Sequence, residues 1–431
     1  LGAEMGARGK LNGNLSLNHR KEGINYYLNY NSSFRASRYV IESNRITEED
    51  GSSYESRTKS IHKPETFFNS IRTGLDYDLS DKTLLGVMFS GYIVDYEGHF
   101  INNTVKKKDD EIESRLSLNA RGPSNSFYAL SNFNIQHSFK VDELLSFNFD
   151  YLDYYRVNPI YYIQDINVGI DNSYVGDEID TKKHTPLKIS VGKMDYSRKI
   201  GTSIKLEAGL KGTINRFRND ISVSYLNSAV WETDEELSNK FTLNEETGAV
   251  YASIDYTLDE NTGFAGGLRY EYLNSILSSL EEQGIVDLHY GSFFPSFYFS
   301  RKLNENNMIQ LSFNRRIDRP TFNELAPFIF FMSPNTYISG NENLVPSFSS
   351  LFKFEYKYKF IYLTLGYTST KDFIARFQPK FSEDKTKQYF ISANYDKQNT
   401  LSANLTFPFP INKWWSMRNN LQGIHQRLKT D

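Results

Sequence analysis

The chain has no cysteine among its 431 residues, which excludes disulfide staples and thiolate metal sites. Long hydrophobic runs are missing too. The longest nearly unbroken one, residues 327–332, is far short of the roughly 20 residues a membrane-spanning helix needs. A mean hydropathy of −0.54 agrees. No charge of one sign dominates: 49 Lys+Arg stand against 52 Asp+Glu, for a net charge of −3. With no basic excess to neutralise phosphates, no nucleic-acid partner is expected. The 7 histidines (His19, His62, His99, His137, His184, His289, His425) are scattered without metal-ligand spacing. No catalytic residue and no cofactor is expected. The opening residues Leu1-Gly2-Ala3-Glu4 lack an initiator Met, a charged segment and an apolar segment, so no signal peptide is visible. Either a leader was removed or the chain is an internal piece of a longer protein.

What the chain does have is rings. Its 30 Tyr, 32 Phe and 3 Trp make 15% of the residues, in a sequence only 39% hydrophobic. They fall in strict alternation. Ile204, Leu206, Ala208, Leu210, Gly212 and Ile214 share one face, against Lys205, Glu207, Gly209, Lys211 and Thr213. Val250/Ala252/Ile254/Tyr256/Leu258, Leu145/Phe147/Phe149/Tyr151, Ile309/Leu311/Phe313 and Phe352/Phe354/Tyr356/Tyr358 repeat the pattern. A period of two gives each strand one apolar and one polar face, so the chain reads as all-β.

Punctuation is regular. Short polar turns centre near Lys21, Ser80, Val141, Ile200, Glu260, Asn304, Lys359 and Pro410, with longer polar stretches between them at 42–66, 98–111, 156–185, 217–245 and 318–348. Tight turns at one end and long loops at the other are the signature of a transmembrane antiparallel up-and-down β-barrel, apolar outside and polar within. Eight turns predict sixteen strands, and the rings are expected at the membrane borders. The apolar phase flips from even to odd across the Lys359 turn, as a hairpin permits. The final residues, Gln426-Arg427-Leu428-Lys429-Thr430-Asp431, are a polar stop without a terminal aromatic. One domain over 1–431 is expected, as an incomplete barrel cut at both ends.

Residues 267–346 carry a pattern. Gly267-Leu268-Arg269-Tyr270-Glu271 precedes Phe294-Pro295-Ser296 and Asn314-Arg315-Arg316-Ile317-Asp318-Arg319-Pro320. Phe322, Leu325, Pro327-Phe328, Pro334, Gly340-Asn341 and Leu344-x-Pro346 follow. This resembles the Bacteroidetes-type outer-membrane β-barrel family allied to TonB-dependent receptors, with Glu342 where that family commonly has Pro. The resemblance implies a 22-stranded barrel around an N-terminal plug, about 16 of whose strands lie here. It also implies the TonB complex as a partner through a region N-terminal to Leu1. Outer-membrane lipid and lipopolysaccharide are the expected surroundings, and a surface lipoprotein or other outer-membrane protein is a further candidate partner.

Several residues are candidates for function. Lys205, Glu207, Lys211, Arg269, Glu271 and Arg316 fall on the polar face, toward a lumen or plug. Arg319, Tyr161 and Tyr162 are loop candidates for ligand contact, the tyrosines by stacking. The alternative for the Arg315/Arg316/Arg319 cluster is to pin the loop starting at Pro320, where Thr321-x-x-Glu324 fits a capping box. Asp165, Asn167 and Asp171 are spaced for Ca²⁺, but Gly176 replaces the bidentate Glu of an EF-hand, and an acidic solvated loop is the simpler reading. Lys106-Lys107-Lys108-Asp109-Asp110 reads as a loop tip, or as an outward cluster for lipopolysaccharide phosphate. The leading expectation is a TonB-dependent-type importer of a bulky nutrient of siderophore, glycan or peptide class. A structural barrel of an outer-membrane complex and a passive porin are the alternatives.

Overall fold

The computed structural model describes every residue except 1, 7–8, 50, 169–172, 236, 328, 334–335, 383–387 and 431. Strands account for nearly all of it. The first are Gly2–Gly6 (β1), Lys10–Lys21 (β2), Ile24–Ala36 (β3), Tyr39–Glu49 (β4), Ser52–Ser80 (β5), Thr83–Lys108 (β6) and Glu111–Lys140 (β7). Then come Glu143–Val168 (β8), Ser173–Ile200 (β9), Ile204–Asn227 (β10), Val230–Thr233 (β11), Asn239–Asp259 (β12), Thr262–Ser278 (β13), Val286–Asn304 (β14) and Asn307–Asp318 (β15). A single turn of helix, Phe322–Leu325 (α1), precedes Ile329–Ser333 (β16), Thr336–Ser339 (β17), Ser347–Tyr358 (β18), Ile361–Phe381 (β19), Gln388–Asn412 (β20) and Trp415–Lys429 (β21).

All the strands belong to one sheet. Each stave pairs antiparallel with the next in chain order, so the topology is up-and-down. The eight expected turns are all present, and the sixteen strands they join form the wall with β1 ahead of them. Strands β4, β11, β16 and β17 are additions at the long-loop end. Tight reversal is reached through left-handed residues such as Gly23 (φ 79°), Asp142 (φ 64°) and Lys359 (φ 51°). Tyr358 pairs with Ile361 across the last of these, which is how the apolar phase changes parity.

Register keeps the apolar face continuous across strands. Leu75 faces Val87, Val87 faces Phe133, and Phe133 faces Phe149. Leu210 faces Val250, and Val250 faces Tyr270. A one-residue slip would turn each strand's apolar set inward, so this pattern fixes the pairing.

The polar stretches differ from the loops expected. Residues 98–111 are strand up to a two-residue reversal at Asp109-Asp110, and 156–168 and 173–185 continue β8 and β9. The cause is that Thr, Ser, Asn and Tyr tolerate extended backbone, so antiparallel pairing persists after alternation of polarity has ended. With 30 residues at about 3.3 Å each, β7 is roughly 100 Å long, several times what 9–11 membrane-crossing residues require. The hairpins therefore stand tall beyond the apolar band.

Candidate functional site

The polar face carries acid and base on the same strand, two residues apart. Lys205 meets Glu207 at 2.5 Å, Lys193 meets Asp195 at 2.8 Å, Arg269 meets Glu271 at 2.5 Å, and Lys353 meets Glu355 at 2.8 Å. Tyr251 donates a further short bond to Asp195 and lies under the Arg269 guanidinium. Lys211 sits on this face between Lys193 and Ala249, and Arg316 beside Ser349. Half-exposed pairs of this kind contribute little stability. Their consequence is a polar wall on which charges neutralise one another.

The segment after β15 folds onto this wall. The N–H of Thr321 and its hydroxyl both donate to the Glu324 carboxylate, at 2.7 and 2.8 Å, which closes α1 at its start as the capping pattern implied. Phe322, Leu325 and Ala326 then pack with Leu344 against Phe241, Leu243, Leu277 and Val286. The last four share the polar face by register, so an apolar patch is set into an otherwise polar wall. Gly340 has no alternative: a Cβ there would come within 2.0 Å of the Ala326 carbonyl oxygen. Asn341 donates its backbone N–H to the Glu324 carbonyl and its side-chain amide to the Ser392 carbonyl, at 2.7 and 3.0 Å. Asn394 brackets Val345, accepting from its N–H and donating to its carbonyl, both at 2.9 Å.

Two arginines bolt the segment down. Arg319 donates to Glu271 at 2.7 Å and to the Tyr290 hydroxyl at 3.1 Å, which places this candidate ligand contact in the wall. Arg376 of β19 spans Asp318 at 2.8 Å and Glu324 at 2.7 Å. Glu245, on the same face, has its carboxyl pushed upward by burial, with Arg319 and Ser275 acting against that shift. Arg315 points the other way, its guanidinium 5.0 Å from the Phe348 ring centre.

A model of the outer membrane protein β-barrel family matches residues 137–431, more than two thirds of the sequence. The chain belongs to that family. This family barrel lies in the cell outer membrane, so its apolar face meets lipid and its polar face lines the lumen. No curated protein matches it in sequence. Among solved structures it is similar to the ferripyoverdine receptor of the outer membrane of Pseudomonas aeruginosa, bound to ferripyoverdine. That likeness covers 97% of this chain and 56% of the receptor, at 11% identity and a TM-score of 0.54. The RagAB peptide transporter is similar over 94% of this chain and 51% of its own, at 11% identity and a TM-score of 0.51. Identity this low speaks to fold alone, and the barrel spans little more than half of either chain.

Lumen-facing rings escaped the sequence reading, which expected the aromatic residues at the membrane borders. Tyr92 and Tyr128 stack inside the barrel, with centroids 4.8 Å apart and planes within 3°, and Phe68 leans on Tyr92 at 5.7 Å. Tyr154 is the next cross-strand partner of Tyr128. Above them, His62 stacks on Phe100 at 3.7 Å and bonds the Tyr96 hydroxyl at 2.7 Å. Arg156, held by the Ser124 hydroxyl at 2.8 Å, and Lys183 border this shelf. Burial lowers the Lys183 ammonium pKa, and Arg156 adds to the effect. The only signal in the sequence was a ring at even positions of β6, β7 and β8, interleaved with the apolar odd ones.

The loop tyrosines part company. Tyr161 lies on the outer face, donating to Glu178 and meeting Trp231 edge-on at 6.2 Å, while Tyr162 lies on the inner face. Asp165 and Asn167 sit on one face of β8, but Asp171 lies outside the described residues. Among the described residues no cluster of metal-ligating side chains forms.

Proposed function

We propose that this barrel is the membrane domain of a TonB-dependent-type importer that takes up a bulky nutrient of siderophore, glycan or peptide class. The observation that carries the reading is that the described parts of 319–346 fold inward and are bolted to the wall on either side of β15 by Arg319 and Arg376. A gated pore needs a fixed inner surface beside its plug, and this segment supplies one. The likeness in fold to a ferripyoverdine receptor and to a peptide transporter supports the same reading. In it, the tall hairpins capture the solute and the tyrosine shelf offers it ring faces. A plug domain and the TonB complex supply gating and energy.

The test uses the full-length gene in its own host. A deletion strain is grown with ferric siderophores, oligosaccharides or peptides as the limiting nutrient, then complemented with and without a protonophore. The reading predicts one nutrient class whose uptake the gene restores and the protonophore abolishes. Restored uptake that persists without a proton-motive force contradicts it.

A further inference from the structure

The lipid-facing surface carries a recess. Gly192, Gly212 and Gly248 are cross-strand partners in a single row over β9, β10 and β12. A Cβ added to any of them would meet nothing within 4 Å. Phe149 closes the row on one side and Tyr272 on the other. The result is a groove of about 520 Å³, in the size range of small-molecule sites. Glycine weakens a strand and offers no side chain to pack, so three in register mark a place where something else approaches the backbone.

The groove has a direction. Toward the short turns the next row is Met194, Leu210 and Val250, all exposed and apolar. Away from them the next row is Ser190, Ile214, Glu246 and Asn274. Gly212 is eight residues beyond Ile204 at the start of β10, so with 9–11 residues spanning a bilayer the recess lies at the membrane's outer border. One row further out, Lys188 and Arg216 face each other, both exposed, with Asp153 across from Lys188. The Asn274 side-chain carbonyl oxygen is buried at the groove without a hydrogen-bond partner among the described residues.

We propose that this groove is a binding site for a phosphorylated glycolipid of the outer leaflet. One acyl chain lies over the glycine floor between Phe149 and Tyr272. The head's phosphate meets Lys188 and Arg216, and its sugar hydroxyls donate to Asn274 and Glu246. Charge and polarity favour this occupant: bases alone would suit any phospholipid, but the unpaired Asn274 oxygen and the two neighbouring carboxylates call for hydroxyl donors in the same head. The inference is independent of what the lumen transports.

The experiment is native mass spectrometry of the full-length protein, delipidated in detergent and re-exposed to bisphosphorylated lipid A, dephosphorylated lipid A or phosphatidylglycerol. A Cβ at Gly212 or Gly248 meets nothing within 4 Å, so Gly212→Phe and Gly248→Leu are expected to fold with the groove filled. Gly266→Phe adds a ring at another open lipid-facing glycine and serves as control. Wild type and the control are expected to retain one bisphosphorylated lipid A, and the two filling variants to lose affinity at least about tenfold. Replacing Lys188 and Arg216 together by Gln is expected to weaken the bisphosphorylated form only. Equal retention by the filling variants and wild type overturns the groove. Equal retention of phosphatidylglycerol overturns the glycolipid assignment.

Discussion

Arg376 places its Nε 2.7 Å from a Glu324 carboxylate oxygen that is all but sealed from water, the Glu324 side chain being 1% exposed. The two residues are brought together only by the fold. They are one of the anchors that keep the inward segment docked, and the carboxylate deprived of this cation would be a buried charge without its ion pair.

Arg376→Ala is therefore expected to destabilise the barrel by about 2–3 kcal/mol, less than loss of a fully buried pair because the arginine is half exposed. Removing the charge as well, with Glu324→Gln in the same chain, should recover part of that loss. Thermal unfolding in detergent, read as a double-mutant cycle, measures the coupling. Independent, additive effects would refute it.

Gly340→Ala tests the seat of the same segment. A methyl group 2.0 Å from the Ala326 carbonyl oxygen cannot be accommodated unless backbone moves, and overpacking costs about 1–3 kcal/mol. Hydrogen exchange should rise across the described parts of 319–346 and stay unchanged at the Lys21 turn. Uniform protection would show that the segment is not held by this contact.

Glu245 gives a pH signature. Burial raises its pKa in the folded state, so protonation favours folding. Its stabilising contribution is complete below the unfolded value of about 4.3 and is lost as pH rises through the elevated folded value. Glu245→Gln keeps the neutral form at every pH. Relative to wild type, this variant should gain melting temperature as pH rises from about 4 to 7. Parallel curves would mean that the group titrates normally.

The lumenal shelf predicts a transport phenotype without a folding one. Tyr92→Ala and Tyr128→Ala each remove a stacked partner, a loss of about 0.5–1.5 kcal/mol for the pair. In cells importing the limiting nutrient, each should raise the concentration needed for half-maximal uptake while surface levels stay normal. Unchanged uptake by both would remove the shelf from the solute's path.

Much of this architecture was legible because its rules are local. The reversals near Lys21, Val141 and Lys359 stand out as polar breaks between alternating runs, and alternation assigns Lys205 and Leu206 to opposite faces without reference to any partner. The Thr321–Glu324 cap was legible for the same reason. What resisted reading depends on distance along the chain. Glu271 and Arg319 are 48 residues apart, and Asp318 and Arg376 are 58 apart, so no window contains either pair. The apolar inner patch at Phe241, Leu243 and Leu277 looks like a lapse in alternation until the segment that covers it is seen. The extended hairpins were hidden because polarity stops alternating where lipid ends, while strand pairing does not.

The central claim is that adjacent residues of one strand face lipid and water in turn. The chain's lack of cysteine lets single cysteines test it directly. Leu210→Cys and Lys211→Cys, placed in the full-length protein with any cysteine outside these 431 residues replaced by serine, are treated in outer-membrane vesicles with a charged maleimide and with a lipid-soluble one. The account predicts that position 211 reacts with the charged reagent and position 210 only with the lipid-soluble one. Equal labelling of both positions by the charged reagent would contradict a membrane barrel with a polar lumen.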